Sequence, residues 1–306
     1  MIYTVTLNPC LDYLVAVQNF QSGRVNRAGY ERITPGGKGI NVSYVLNILK
    51  QDNLALGFVG GFTGAEIERL MDKDGIRHDF VHLKHGNSRI DVQMLDGIES
   101  SIHGVGPCIT QEDIDALCQQ LQQLQDGDTL VLSGAVPRGA RDTIYSDILR
   151  SVEHKDLYVV VDAKGPLLLN TLKYRPFLIK PNLQEMIDIF YLDVENMDDI
   201  IRYAKNLQDM GARNVLVSLG ADGAVLVTET GEIYRHSAMT GKVHNTVGCG
   251  DSMLAGFLVG YHQNHDMVQA FQLSLAAASA NAFHDGRGTY EDMMDLLDIL
   301  HREMEE

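Results

Sequence analysis

Two glycines bracket a cysteine in the run Asn245-Thr246-Val247-Gly248-Cys249-Gly250-Asp251-Ser252, and an apolar segment of helical length follows. Glycine allows the tight curvature that turns successive N–H groups into one concavity, a nest for an anion. A helix beginning there adds about half a positive elementary charge at its N-terminus, so phosphate is favoured twice over. Asp251 stands at the rim of that nest. A carboxylate beside an anion site is unfavourable in itself, but it suits one task, taking the proton of a hydroxyl that attacks a phosphoryl group. The chemistry implied is phosphoryl transfer to an alcohol, with Asp251 as general base and the amides of Gly248, Cys249 and Gly250 stabilising charge.

Three further clusters offer polar groups. Gly36-Gly37-Lys38-Gly39-Ile40-Asn41 opens a helical pattern. Its glycines let the backbone approach a ligand, with Lys38 and Asn41 supplying charge and hydrogen bonds, and a plain helix-entry turn reads the same way. Asn182 and Glu185, in Lys180-Pro181-Asn182-Leu183-Gln184-Glu185, share one face of a first helical turn. They serve equally as an N-cap with its capping-box partner or as oxygens for a hydrated Mg²⁺. Ser218-Leu219-Gly220-Ala221-Asp222-Gly223 leaves a strand through glycines and suits either a flat ligand such as adenine or a simple turn. Two common phosphate loops are excluded. Lys38 is followed by Gly39 and Lys242 by Val243, so there is no Walker A loop, and the first strand runs into Asn8-Pro9-Cys10 with no dinucleotide fingerprint. His78, His82 and His85 lie close in sequence, but no cysteine or acidic cluster completes a metal set, so they read as surface or strand residues.

The framework that must position these groups is α/β. Buried strands are expected at 2–7, 129–132, 157–161, 177–179 and 214–217, with helical patterns between them, the rhythm of a parallel sheet covered on both faces. Thr110 and Asp113 resemble a capping box, and helices are expected at 39–50 and near 141–152. Strands at 14–17, 27–34, 88–95 and 99–103 do not fit that rhythm, the last two being joined by a turn at Asp96-Gly97, and they predict a small separate sheet. The 306 residues carry 25 basic and 41 acidic side chains, a formal net charge of −16, which argues against nucleic acid or an anionic membrane as partner. Apolar runs fall short of the ~20 residues a membrane span needs. The first residues have neither the basic start nor the cleavage site of a signal peptide, and Cys10, Cys108, Cys118 and Cys249 show no paired spacing, so a cytoplasmic location is expected.

Taken together, the clusters resemble the signatures of the PfkB, or ribokinase-like, carbohydrate kinases. The N-terminal signature matches residues 36–43, the C-terminal one residues 245–257, and the Asn-x-x-Glu magnesium motif Asn182 and Glu185. The resemblance covers essentially the whole chain. It implies a three-layer αβα sandwich with a mainly parallel central sheet, one kinase domain over residues 1–306, and a small β-sheet lid formed by about 12–34 and 88–104 that could also pair two subunits as a homodimer. It implies ATP and Mg²⁺, the metal near Asn182 and Glu185 and bound through water. By the same resemblance Asp12, Gly37 and Asn41 orient sugar hydroxyls, and Lys38, Arg89 and Arg27 hold an existing phosphate. Lys180, Ser218, Gly220 and Gly223 line the nucleotide side, with Asn281. Arg89 otherwise reads as a solvated strand residue. Residues 3–12 and Gly23-Arg24-Val25-Asn26-Arg27 resemble the branch acting on phosphorylated ketohexoses. Residues 4–12 and 55–62 point within it to fructose 1-phosphate, giving fructose 1,6-bisphosphate. Glu99-Ser100-Ser101-Ile102-His103 departs from the Thr-Glu-Ile-Asn usual there. Tagatose 6-phosphate is the alternative acceptor, and a non-catalytic sugar-phosphate-binding regulator the alternative of another class. Cys249 stands where the family has Ala or Ser. At a helix N-terminus its thiol pKa would fall, from which sensitivity to oxidation is expected.

Overall fold

Strands that are apolar on both sides belong in the middle of a sheet, and the sequence supplies several. Along the first strand Tyr3 and Val5 enter one apolar cluster and Ile2 another, and Leu130, Leu132 and Val131 divide in the same way. The computed structural model of the chain describes residues 1–95, 99–191 and 194–305. Its strands are β1 (Ile2–Thr6), β2 (Cys10–Val17), β3 (Ala28–Gly36), β4 (Asn53–Gly60), β5 (Val81–Leu83), β6 (Arg89–Leu95), β7 (Glu99–Ile102), β8 (Thr129–Ser133), β9 (Tyr158–Asp162), β10 (Leu178–Ile179), β11 (Asn214–Ser218), β12 (Ala224–Val227) and β13 (Ile233–His236). The helices are α1 (Lys38–Ile48), α2 (Gly61–Lys73), α3 (Gln111–Gln120), α4 (Ile144–Val152), α5 (Pro166–Leu169), α6 (Leu183–Phe190), α7 (Met197–Asp209), α8 (Cys249–Asn264), α9 (Met267–Ala282) and α10 (Tyr290–Glu305).

The main sheet has nine strands in the order β13-β12-β11-β10-β9-β8-β1-β4-β5. All pairs from β5 to β11 are parallel, and β11, β12 and β13 pair antiparallel at the edge. Residues of α1, α8, α9 and α10 cover one face, and residues of α3, α4 and α7 the other, so the α/β sandwich expected from the rhythm of the sequence is present. The second sheet is β3-β2-β6-β7, two antiparallel hairpins joined by parallel pairing of β2 with β6. It begins at Cys10 and runs to Gly36, wider than the 12–34 read from the sequence. The turn expected at Asp96-Gly97 lies outside the described residues. Strands β4, β5, β12 and β13 were not legible: β5 has three residues, and β13 alternates between exposed and half-buried positions. The capping box of Thr110 and Asp113 is formed. His82 of β5 is exposed as expected, whereas His78 is mostly covered and bridges to Ala55 of β4, and each lies near the carboxylate of Glu68. Among the described residues no helix is long and apolar enough to cross a membrane.

Helix α8 is buried over most of its length, with little amphipathic character, because α9 and the sheet enclose it. Two glycines make this possible. A methyl group at Gly256 would collide with Leu273 O and lie 2.9 Å from Ala277 Cβ, and one at Gly260 would lie 2.7 Å from Ala270 Cα. The α8 axis, and hence the position of its N-terminus, is set by this backbone-to-backbone contact. Replacing Gly256 with Ala forces the helices apart, at a cost of about 1–3 kcal/mol. Denaturant unfolding of Gly256→Ala is therefore expected to show a clearly lower midpoint, and an unchanged midpoint would contradict the contact.

Candidate active site

Ligands of open parallel sheets bind beyond the carboxyl ends of the strands, and the polar groups converge there. Strand β9 ends on Asp162, β10 runs straight into Lys180, α1 opens with Lys38 and α8 brings Asp251. Lys38 Nζ donates to Asp162 Oδ1 at 2.8 Å. Lys180 Nζ lies 3.3 Å from Asp162 Oδ2, in ion-pair range but without the alignment of a hydrogen bond, so that oxygen has no hydrogen-bond partner. Burial alone would push the Asp162 carboxyl up, but the ammoniums of Lys180 and Lys38 overcome it and hold it below the usual carboxylate range. Burial likewise works against the Lys38 ammonium, and Asp162 and Asp251 outweigh it, holding it above its ordinary value.

Asp251 is buried and receives Asn41 Nδ2 on Oδ2 at 2.8 Å. Its other oxygen accepts no hydrogen bond among the described residues. Burial first, and then the charge of Asp162, push its carboxyl up to about 6 against the pull of Lys38, Asn41 and Lys180. A carboxylate with one oxygen fixed, one oxygen free and a raised pKa is fit to take a proton near neutral pH. Asn41 is itself held, since its Oδ1 accepts from Arg287 Nη2 at 3.1 Å.

The nest forms with Gly248 in the left-handed region, φ +79°, as the N-cap of α8. Val247 N–H is engaged by Asn245 Oδ1 at 2.8 Å, and Cys249 N–H reaches Thr246 O at 3.3 Å. The amide of Cys249, expected to face an anion, is thus partly spent on its own turn, whereas those of Gly248 and Gly250 have no partner among the described residues. A methyl group at Gly250 would lie 3.0 Å from Lys180 Nζ, so the glycine leaves that ammonium room beside the nest.

The other expected residues are placed as follows. Asp12, Asn41 and Gly248 line one cavity with Asn245, Arg32 and Arg287. Burial pushes the Asp12 carboxyl up, and Cys10 Sγ donates to it at 3.2 Å. Gly37 is the N-cap of α1, with φ +116°. The three cations expected to hold an existing phosphate have other surroundings. Lys38 is drawn to Asp162. Arg89 donates to Asn8 O at 3.0 Å and to Asp91 Oδ2 at 2.7 Å, and is not the solvated strand residue of the other reading. Arg27 lies exposed before β3. On the opposite side Ser218 closes β11 and bridges to Asn182, and Gly220 and Gly223 both have positive φ. A side chain at Gly223 would run into His236 O, so packing explains this glycine without a ligand, whereas Gly220 faces open space. Asn281 is turned to the nest loop, donating to Val247 O at 2.9 Å and lying 3.6 Å from Cys249 Sγ.

Asn182 and Glu185 form the capping box of α6: Asn182 Oδ1 accepts from Glu185 N–H at 2.8 Å and Glu185 Oε2 from Asn182 N–H at 2.9 Å. Both readings left open by the sequence are compatible with this. The second carboxylate oxygen of Glu185 has no hydrogen-bond partner among the described residues, and the field of that carboxylate reaches Lys38. Exposed oxygen donors with room for water fit a hydrated Mg²⁺.

Sequence reading missed Asp162, Arg32 and Arg287. Asp162 carried a signal, a carboxylate closing the apolar strand Tyr158–Asp162 at its carboxyl end. Arg287, in the loop Asp285-Gly286-Arg287-Gly288, carried none. The Cys249 thiol is shifted the other way from the expectation: burial, against the hydrogen bond from Asn281 and with the charge of Asp251, raises it above its ordinary value.

The pfkB family of carbohydrate kinases matches residues 5–292. The chain is 40% identical over 297 residues to a 1-phosphofructokinase of Bacillus subtilis, covering 97% of each. It is 37% identical over 289 residues to a D-tagatose-1-phosphate kinase of Bacillus licheniformis, covering 94% of each. The structure of an Arabidopsis thaliana ribokinase complexed with ribose and ATP shares the fold, with a TM-score of 0.77 at 20% identity over 97% of this chain and 98% of that one.

A raised thiol reacts slowly. In iodoacetamide labelling near neutral pH, followed by peptide mass spectrometry, exposed Cys108 is expected to be modified well before Cys249. Labelling of Cys249 first would show a depressed thiol.

Proposed function

The chain belongs to the pfkB family of carbohydrate kinases and is a sugar-phosphate kinase, and we propose that it transfers the γ-phosphoryl group of ATP to the 6-hydroxyl of fructose 1-phosphate, giving fructose 1,6-bisphosphate and ADP. The observation that carries this reading is Asp251, buried beside an anion nest with one free carboxylate oxygen and its pKa near 6. The acceptor lies in the cavity of Asp12 and Asn41 with its hydroxyl against Asp251. The hydroxyl oxygen attacks the γ-phosphorus in line, Asp251 takes its proton, and the bond to the ADP oxygen breaks. Catalysis is then mostly positioning and charge stabilisation. The amides of Gly248 and Gly250 and the ammoniums of Lys38 and Lys180 face the phosphoryl oxygens in this reading, where fixed donors need no reorganisation as charge moves. Mg²⁺, held through water by Asn182 and Glu185, would neutralise charge on the nucleotide phosphates. Ser218 and Gly220 border the nucleotide. The small sheet covers the acceptor and excludes water from the transfer.

The fructose assignment rests on the kinship with a 1-phosphofructokinase. The tagatose-phosphate relative moves the competing acceptor from tagatose 6-phosphate to tagatose 1-phosphate, which differs from fructose 1-phosphate only at one hydroxyl. We further propose that two copies associate through the outer face of the small sheet, where Ile33, Ile90 and Ile102 are 51%, 43% and 71% exposed. The protein works in the cytoplasm in this reading, with its four cysteines free.

Coupled detection of ADP with fructose 1-phosphate, fructose 6-phosphate, tagatose 1-phosphate and tagatose 6-phosphate is expected to give the highest kcat/KM for fructose 1-phosphate. A higher value for any other acceptor overturns the assignment. The pH dependence follows from Asp251. It must be ionised to accept a proton, so kcat/KM is expected to be flat above its pKa and to fall about tenfold per pH unit below about 6. Asp251→Asn is expected to lose about 10²–10⁴-fold in kcat while still binding ATP and sugar phosphate in calorimetry. Near-normal turnover of that variant would remove Asp251 as the base.

A further inference from the structure

We propose that Arg287 is a positioning residue for the proton acceptor: it fixes which way the amide of Asn41 is turned, and through that amide the orientation and basicity of Asp251. The inference rests on the reading of Asp251 as the base and adds the group that sets it.

Arg287 stands on the loop between α9 and α10, and that loop is pressed on α9, since a methyl group at Gly288 would lie 2.7 Å from Ala280 C. Its guanidinium lies 3.8 Å from the ring centroid of Tyr44, a cation–π contact. Tyr44 is buried, and its hydroxyl donates to Asp74 Oδ2 at the end of α2 at 2.8 Å. Nη2 of Arg287 donates to Pro35 O of β3 at 3.3 Å and to Asn41 Oδ1 at 3.1 Å. Asn41 and Tyr44 are three residues apart on α1 and share one face of it, so Arg287 packs on the one and bonds the other. The same nitrogen thereby joins the root of the small sheet to the residue that holds the base.

The amide of Asn41 has one orientation that satisfies both neighbours. A guanidinium only donates and an ionised carboxylate only accepts, so the amide oxygen faces Arg287 and the nitrogen faces Asp251 Oδ2. Turned over, the amide would lose both bonds. The demand from Asp251 lapses once it has taken a proton, because a carboxylic acid can donate to an amide oxygen as well as accept from its nitrogen. Arg287 cannot change its role, and it keeps the nitrogen on Oδ2 in both states. The proton from the attacking hydroxyl is therefore carried on Oδ1, the oxygen with no partner.

The same contact tunes the base. Burial and the charge of Asp162 of β9 raise the Asp251 carboxyl, and Lys38 and the Asn41 amide of α1, with Lys180 beyond β10, draw it down. Around Arg287 itself stand Tyr44 of α1, Asp12 of β2, Asp74 after α2 and Arg32 of β3. No carboxylate is within ion-pair distance of it among the described residues. An Asn41 amide free to turn would leave ionised Asp251 without its donor for part of the time. A carboxylate that loses a donor to its ionised form is harder to ionise, so its pKa rises.

The test reads Asp251 both directly and through turnover. In carboxyl-carbon NMR of protein labelled with ¹³C-aspartate, the resonance lost in Asp251→Asn reports the titration of this one group. In Arg287→Met its midpoint is expected to rise by about one pH unit, the size of one hydrogen bond to a charged group. The acid limb of kcat/KM for fructose 1-phosphate should rise with it, while KM for ATP is unchanged. In Asn41→Ala the further change Arg287→Met is expected to leave the midpoint where Asn41→Ala alone puts it, because Arg287 acts through that amide. Arg287→Lys keeps the charge and the stem but not the planar fork. It is expected to lie between the wild type and Arg287→Met, and it carries the test where Arg287→Met fails to fold. A midpoint unmoved in both variants overturns the positioning. So does one that moves as far in Asn41→Ala as in the wild type, which would mean that the charge acts on Asp251 through space. If the midpoint moves and the acid limb does not follow it, Asp251 fails as the base while the positioning of its carboxyl stands.

Discussion

The active end of this molecule is organised around one ion cluster, the buried carboxylate of Asp162 between the ammoniums of buried Lys180 and half-exposed Lys38. A lone carboxylate at the end of a buried strand would be driven neutral, and two lone lysines would be expelled or deprotonated. Together they remain charged, and each comes from a different element: the end of β9, the start of α1 and the exit of β10. The cluster therefore fixes how the first helix sits on the sheet. It also sets the field felt by Asp251, which is raised by the nearby Asp162 and restrained by the two lysines. The value near 6 is the balance of burial and the charge of Asp162 against Lys38, the amide of Asn41 and Lys180.

The packing layer serves the same end. Helix α8 delivers both the nest and Asp251, and its backbone lies directly on α9 through Gly256 and Gly260. Lys180 Nζ stands 3.0 Å from where a methyl group at Gly250 would lie. Asn281 of α9 in turn ties down Val247 O in the nest loop. The nest is thus held from three directions: by its helix, by an ammonium in front and by an amide behind. Mutational effects at these positions should be strongly non-additive, since each contact presupposes the others.

The framework was legible because parallel strands buried on both faces advertise themselves. Val159, Val160 and Val161, or Val215, Leu216 and Val217, have no polar side to present to water. The nest was legible because Gly248 and Gly250 leave few alternatives when an aspartate and an apolar helix follow. Partnership was harder to read. Nothing near Lys38 or Lys180 in sequence names Asp162 as their common partner, and nothing near Asn41 names Arg287, which is 246 residues away. The Cys249 thiol was misjudged for a related reason. Its place at a helix N-terminus is a local property, whereas its burial, which prevails, is a tertiary one. Long-range electrostatics and burial leave no local pattern, so the site's chemistry was visible before its wiring.

The small sheet has a consequence for the order in which the molecule comes together. It consists of two hairpins, β2–β3 and β6–β7, and a lone hairpin is marginal in water. What unites them is the parallel pairing that sets Cys10 beside Arg89, and the chain between those residues forms α1, β4, α2 and β5 of the larger framework. Closing so long a loop costs entropy that few contacts offset until the intervening chain is drawn into the main sheet, which disfavours pairing of the hairpins before then. The strands that carry Arg32 and Asp12 are thus a dependent of the sheet that carries Asp162. A chain that has misplaced β4 or β5 leaves β2 and β6 far apart, so the second sheet stands or falls with the first.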